Sequence, residues 1–297
     1  MPIHETAALA AALCWAFAGM VSAEPAQRLG AVRFNRLRLV MVFGMLAAWV
    51  VATGSWQSVG RAHLAPIVLS GFVGIFLGDT ALFLTMNRLG PRRTGILFSL
   101  NAPIAALLGW LVLGETLSPL ALAGIGLTFA GVTLAIVFGK RRSQLHHWES
   151  IRGPLWIGVC LGLTAASSQA VGSLIARPVM AAGADPVAAS AIRIGIAAFC
   201  LSLFLRLPLK SLRGGEPLSG PLAARVALSG LLGMAVGMTL ILFALSGGKV
   251  GIVSTLSATT PAMILPLLWW RTGEIPAVGA WIGAALAILG SALIFSV

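Results

Sequence analysis

Long apolar stretches alternate with short polar breaks along the whole chain. Ten stretches of about 20 apolar residues stand out, at 4–23, 34–53, 64–86, 94–113, 119–138, 154–176, 186–205, 222–245, 250–269 and 276–295. Each is long enough to cross roughly 30 Å of hydrocarbon as a helix, the element that satisfies its own backbone inside lipid. Five stretches fall on each side of the polar segment Gly139–Gly153. The pattern predicts ten transmembrane helices and leaves no room for a separate soluble domain.

The two halves repeat each other. Leu69, Ser70, Gly71, Gly74, Gly78 and Thr80 return as Leu228, Ser229, Gly230, Gly233, Gly237 and Thr239, an offset of 159 throughout. Pro103 answers to Pro261, Gly114-Glu115 to Gly273-Glu274, and Gly124 and Gly131 to Gly283 and Gly290. A long period of this kind marks a duplicated structural unit. The expected units are 1–142 and 143–297, each of five helices. An odd number of spans per unit sets the two units antiparallel in the membrane.

Composition agrees: 58% of residues are hydrophobic, 9% are charged and the mean hydropathy is +0.98. A soluble domain carries roughly a quarter charged residues. The net charge of +12 would suggest nucleic acid in a soluble protein, but here it encodes orientation. Sixteen of the 20 basic residues fall in or beside the breaks between the first and second, third and fourth, fifth and sixth, seventh and eighth, and ninth and tenth stretches. The positive-inside rule makes that face cytoplasmic and puts both termini outside. Equivalent loops of the two halves carry opposite bias, as inverted units require. Val21-Ser22-Ala23 before Glu24-Pro25 resembles a cleavage site, but no basic segment leads it, so the first stretch is expected to stay as a helix that Glu24-Pro25 ends.

Few residues in the stretches carry chemistry. Asp79 is an acid inside an apolar run, where charge costs at least a few kcal/mol; its repeat partner is Met238. It is expected to face protein or a wet cavity, as a functional group or in an ion pair with a snorkelling arginine. Trp15 either lines an internal cavity or packs on neighbouring helices, with Phe17 beside it. Pro103 and Pro261 each lack an amide donor and free a carbonyl one turn earlier. Matching interruptions in inverted halves point to a carrier's binding site, though packed kinks would look the same. Asn101, Thr259 and Thr260 would offer hydrogen bonds there. Ser168 and Gln169 form a polar patch at mid-depth, and Met238 would give an adaptable apolar wall. The glycines read as packing grooves and seams. Glu115 and Glu274 read as interfacial caps for the helix that follows each. Arg36 and Arg38 are expected to snorkel as solvated anchors, and Arg193 to pair with Asp185.

Pro103 followed by Leu113-Gly114-Glu115-Thr116-Leu117-Ser118, then Gly124 and Gly131, resembles the EamA-type carriers of the drug/metabolite transporter superfamily. Taken as a whole, and not through any one motif, the chain looks most like the YddG-type aromatic amino-acid exporters. The resemblance implies a ten-helix bundle with a central cavity, alternating access and export of amino acids or related metabolites. It also implies cytoplasmic termini, whereas the arginine distribution argues the reverse; the charge count is followed here.

The expectation is thus an all-α integral membrane protein: ten transmembrane helices as two inverted five-helix repeats around a central cavity. It would be a secondary transporter of a bacterial inner membrane, exporting small amphipathic metabolites, foremost aromatic and other neutral amino acids, by alternating access, with a proton-coupled drug or cation efflux carrier as the alternative. The substrate-binding candidates are Trp15, Phe17, Asp79, Asn101, Ser168, Gln169, Met238, Thr259 and Thr260. A mainly apolar lining suits a zwitterion; phosphorylated sugars fit poorly because no deep basic pair is read. No clustered acids or His/Asp pair suggest an enzyme, and adjacent His146-His147 make a weak metal site. No cofactor is expected. The partners would be a small-molecule substrate and membrane lipid, without nucleic acid, and the chain a monomer or weak homodimer.

Overall fold

The computed structural model describes residues 3–138, 153–204, 216–272, 275 and 277–295. His146-His147 and Gly273-Glu274 lie outside them. Among the described residues every regular element is helical: α1 (Ile3–Leu29), α2 (Ala31–Thr53), α3 (Arg61–Gly71), α4 (Gly78–Ser99), α5 (Asn101–Leu113), α6 (Pro119–Val137), α7 (Leu155–Ala181), α8 (Pro186–Phe204), α9 (Gly220–Gly230), α10 (Gly237–Gly247), α11 (Val250–Ser257), α12 (Thr260–Thr272) and α13 (Val278–Phe295). Among the described residues nine stretches are long and apolar enough to cross a membrane, and Val278–Ile294 is a shorter apolar helix at the place of the tenth.

The first helix does not stop at Pro25. It runs on to Leu29 with the proline inside it. Glu24 receives Arg225 and Arg28, and Arg28 also reaches Glu216 at 2.6 Å, so this last turn is tied to the start of the ninth-helix region. These exposed ion pairs tie the turn around Pro25 to the other half.

The repeat is visible in the backbone itself. The glycine motif of each half contains a single π-helical turn, at Phe72–Leu77 and again at Leu231–Val236. The two differ by the same 159 positions as the sequence repeat. In each half a short interruption follows, at Leu100 between α4 and α5 and at Ala258–Thr259 between α11 and α12. Local geometry has been copied along with the letters.

Packing shows the inversion. Gly124 lies against Gly290 and Ile294, and Gly131 against Gly283 and Ala287, so the equivalent helices α6 and α13 run antiparallel with their backbones touching. The glycine seam therefore joins the two repeats. Helix α7 packs on the third span through Gly172 against Gly74 and Gly158 against Leu89; α1 packs on the matching span of the other half through Ala18 against Gly233 and Trp15 against Gly237. Small residues allow these approaches. Gly162 meets Leu97 and Arg177 reaches Glu115, so α7 runs antiparallel to residues 74–89 and parallel to 97–115. The chain reverses between Leu89 and Leu97 while keeping helical backbone over Gly78–Ser99.

Candidate functional site

Charged side chains in the interior converge where α2 and α8 meet the two π-turn helices. Arg38 and Arg193 are repeat equivalents, each seven residues, or about 10 Å, inside its helix. Neither is a solvated anchor. Arg193 is 1% exposed, and the Arg38 side chain is 12% exposed and lies 3.5 Å from Asp79 Oδ2 through Nη2. At that depth the guanidinium groups are held by protein instead of reaching water. The reading that no basic pair lies deep in the bundle is corrected here: there are two arginines, and they share one acid.

Their surroundings differ. Arg38 lies over the rings of Phe34 and Phe83, 5.4 and 6.0 Å from the centroids, within the range of cation–π attraction. Its Nη2 donates to Asn35 Oδ1 at 2.8 Å. Arg193 donates Nη1 to Met238 Sδ at 3.4 Å, and its Nε and Nη2 have no hydrogen-bond partner. Asp185, its expected partner, instead caps α8 by accepting from the Ala188 amide at 2.8 Å. An acid at a helix start is drawn to the free amides of the first turn. Asp79 interacts electrostatically with both arginines.

The glycines of the π turns make room for this arrangement. A Cβ on Gly71 would strike the Arg193 backbone, and one on Gly74 would sit 3.1 Å from Arg193 Nη2. Across the repeat axis, a Cβ on Gly230 would strike Val42 and come within 3.1 Å of Arg38 Cγ. Each arginine helix thus lies against the glycine face of the opposite half. A π turn shifts the ladder and leaves backbone carbonyls open to other donors. One is used directly: Trp15 Nε1 donates to Gly233 O at 2.7 Å, so the mid-membrane tryptophan packs and bonds into the second π turn.

The other candidates separate into groups. Met238 is buried beside Arg193, and Ser168 is buried beside Gly78. Gln169 follows Ser168 on α7, half-buried, and Phe17 is 38% exposed. The polar groups at the helix breaks serve their own turns. Asn101 Nδ2 donates to Phe98 O at 2.7 Å, Thr259 Oγ1 to Leu256 O at 2.7 Å, and Thr260 Oγ1 to Ser257 O at 3.0 Å and Ala12 O at 3.3 Å. A short side chain at an interrupted turn finds the carbonyl three residues back. Arg38, Arg193 and Asn35 are part of this buried cluster and were not among the candidates read from sequence. The signals were present: two arginines at equivalent places in apolar helices, and an Asn one turn before Arg38.

Glu115 is a second correction. Ser118 Oγ accepts from the Ala121 amide at 3.1 Å and caps the helix that follows, α6. Gly114, at φ 65°, ends α5 in the left-handed conformation that glycine tolerates. The chain then turns Glu115 toward the other half, where Oε2 accepts from the Val250 amide at 2.8 Å and Oε1 lies 3.6 Å from Arg177 Nε. Lys249 Nζ donates to Thr116 O at 2.5 Å beside it. Burial pushes the Glu115 carboxyl above its ordinary range, against the pull of the Val250 amide, Arg177 and Lys249. Among the described residues, no three His, Cys, Asp or Glu side chains come together in a way that would hold a metal ion.

Known proteins frame this geometry. No curated protein matches the chain. A solved crystal structure 18% identical in sequence superposes with a TM-score of 0.79 over 98% of this chain and 95% of its own, a likeness that shows the fold alone. The profile of the EamA-like transporter family matches twice, over residues 3–137 and 156–296, one match to each repeat. The chain belongs to the EamA-like transporter family, membrane transporters of the drug/metabolite transporter superfamily.

Proposed function

We propose that the protein is a secondary transporter that exports small amphipathic metabolites, foremost neutral and aromatic amino acids, by alternating access about a site near the middle of the bundle. One observation carries this reading: Arg38, Asp79 and Arg193 are drawn into an otherwise apolar interior where the two inverted halves meet. Ionisable groups at membrane depth mark substrate or ion pathways, and carriers built from inverted repeats place their sites at the repeat interface. Met238 and Trp15 supply apolar wall beside the charges. Asn101, Ser168, Gln169, Thr259 and Thr260 would join the lining when the helix breaks open, with Phe17 further out.

Two guanidinium groups to one carboxylate favour a substrate that brings a negative charge. This weighs against the alternative, a cation efflux pump that would use Asp79 as its anchor, because Arg38 already occupies that acid. The arginine-rich loops support a cytoplasmic face opposite the termini. With the buried Arg38 and Arg193 set aside, 15 of the remaining 18 basic residues lie there. The membrane would be a bacterial inner membrane and the working unit a monomer or weak homodimer, since the glycine faces that could pair two copies are used between the halves. Purified protein in proteoliposomes, offered labelled phenylalanine, alanine and tetraethylammonium with and without a proton gradient, tests the reading. Saturable amino-acid movement is expected; movement of tetraethylammonium with indifference to amino acids would overturn it.

A further inference from the structure

The two halves put different things opposite their buried arginine. In the first half Asp79 faces Arg38; in the second, the position equivalent to Asp79 is Met238, whose sulfur is a weak acceptor and takes only Nη1 of Arg193. The donors left without a partner are Nε and Nη2. These two N–H groups share one edge of the guanidinium plane, the edge whose parallel donors match the two oxygens of a carboxylate. They belong to a side chain 1% exposed, out of reach of bulk solvent. The lack of a side chain at Gly74 is what lets the third-span backbone close on this edge, because a Cβ there would stand 3.1 Å from Nη2.

We propose that this edge of Arg193 is the subsite that takes the carboxylate of the transported molecule, which stands where the second half lacks its acid. The ligand class is a small monocarboxylate with an apolar body. Charge sets the class: Arg38, Arg193 and Asp79 sum to one positive charge, which one carboxylate neutralises. A phosphate dianion would overshoot and would need more donors than the two that are free. Met238 and the helix backbone at Gly74 supply the walls on either side of the fork, and the closed packing around Arg193 describes a bundle with this subsite shut off from both faces. The inference rests on the transport reading for its substrate, but binding alone can judge it.

The experiment uses the full-length protein in detergent and three related probes: phenylalanine, 3-phenylpropionate, which keeps the carboxylate alone, and phenethylamine, which keeps the ammonium alone. Phenylalanine and 3-phenylpropionate are expected to raise the melting temperature and compete with each other, while phenethylamine does neither. Arg193→Lys keeps the charge but not the two-pronged edge and is expected to bind both carboxylates about 30-fold more weakly or worse. Met238→Asp supplies the missing acid from within; it is expected to melt no lower than wild type and to lose the carboxylate response. Equal binding of phenethylamine, no response to either carboxylate, or unchanged carboxylate binding in Arg193→Lys would overturn the proposal, and so would a Met238→Asp protein that folds and still binds. Failure of the proposed function has a different signature: carboxylates that bind at Arg193 while no amino acid crosses the membrane.

Discussion

The neighbourhoods of Arg38 and Arg193 descend from one design and have parted at several positions, the acid Asp79 against Met238 above all. Both arginines sit at the same depth of equivalent helices, and both face a glycine-bearing π turn of the opposite half. The first has an acid, two aromatic rings and an amide around it. The second has a thioether and two idle donors. Inverted repeats give a carrier two halves of nearly equivalent geometry, and unequal charge at matched places makes those halves chemically distinct. The comparison also explains why Asp79 stands alone, since it compensates two cations.

Breaking the acid should have the largest effect. Asp79→Asn leaves two buried guanidinium groups without a counter-charge, and a destabilisation of about 3–5 kcal/mol is expected from unfolding in mixed micelles. If Arg38 and Asp79 are instead replaced together with Met, most of that loss should return, because removing both members of a buried ion pair is far milder than removing one. A double variant as unstable as Asp79→Asn would show that Asp79 matters through Arg193 alone. Trp15→Phe tests the second π turn, whose Gly233 carbonyl loses its donor; about 1 kcal/mol is expected. The smallest effect concerns Glu115. Its carboxyl titrates higher in the folded protein than in the unfolded chain, so the folded state holds more protons between the unfolded value near 4.5 and the raised one. Stability due to this group is therefore greatest below that window and falls as pH rises through it. Melting of wild type against Glu115→Gln across pH 4–8 should show wild type losing ground as pH rises; a flat difference would break the assignment.

Much of this was open to reading in the letters, and the reasons for the rest are physical. The spans were legible because a bilayer demands about 20 apolar residues in a row. The inversion was legible because five spans cannot return the chain to its starting face. Arg38 was not, since an arginine seven residues inside a helix is equally compatible with snorkelling and with an ion pair, and only the position of Asp79 decides. The π turns were hidden because Leu-Ser-Gly-x-x-Gly reads equally well as a groove in a regular helix. Asn101, Thr259 and Thr260 were placed correctly at the breaks, but spacing cannot tell whether a hydroxyl bonds its own turn or a solute. Glu115 was expected to cap along the chain; it caps across it, because the left-handed turn at Gly114 sends the next residue out of line.

The seam between α6 and α13 limits how this machine can move. Gly124, Gly131, Gly283 and Gly290 bring two backbones together without side chains between them, so sliding or parting there would strip close main-chain contact that no rotamer can refill. Under the proposed alternating access, this line is the expected hinge post, and the helices that carry Arg38, Asp79 and Arg193 would be the leaves that swing about it. A bulky residue placed at Gly131 would jam the post itself while leaving the lock untouched.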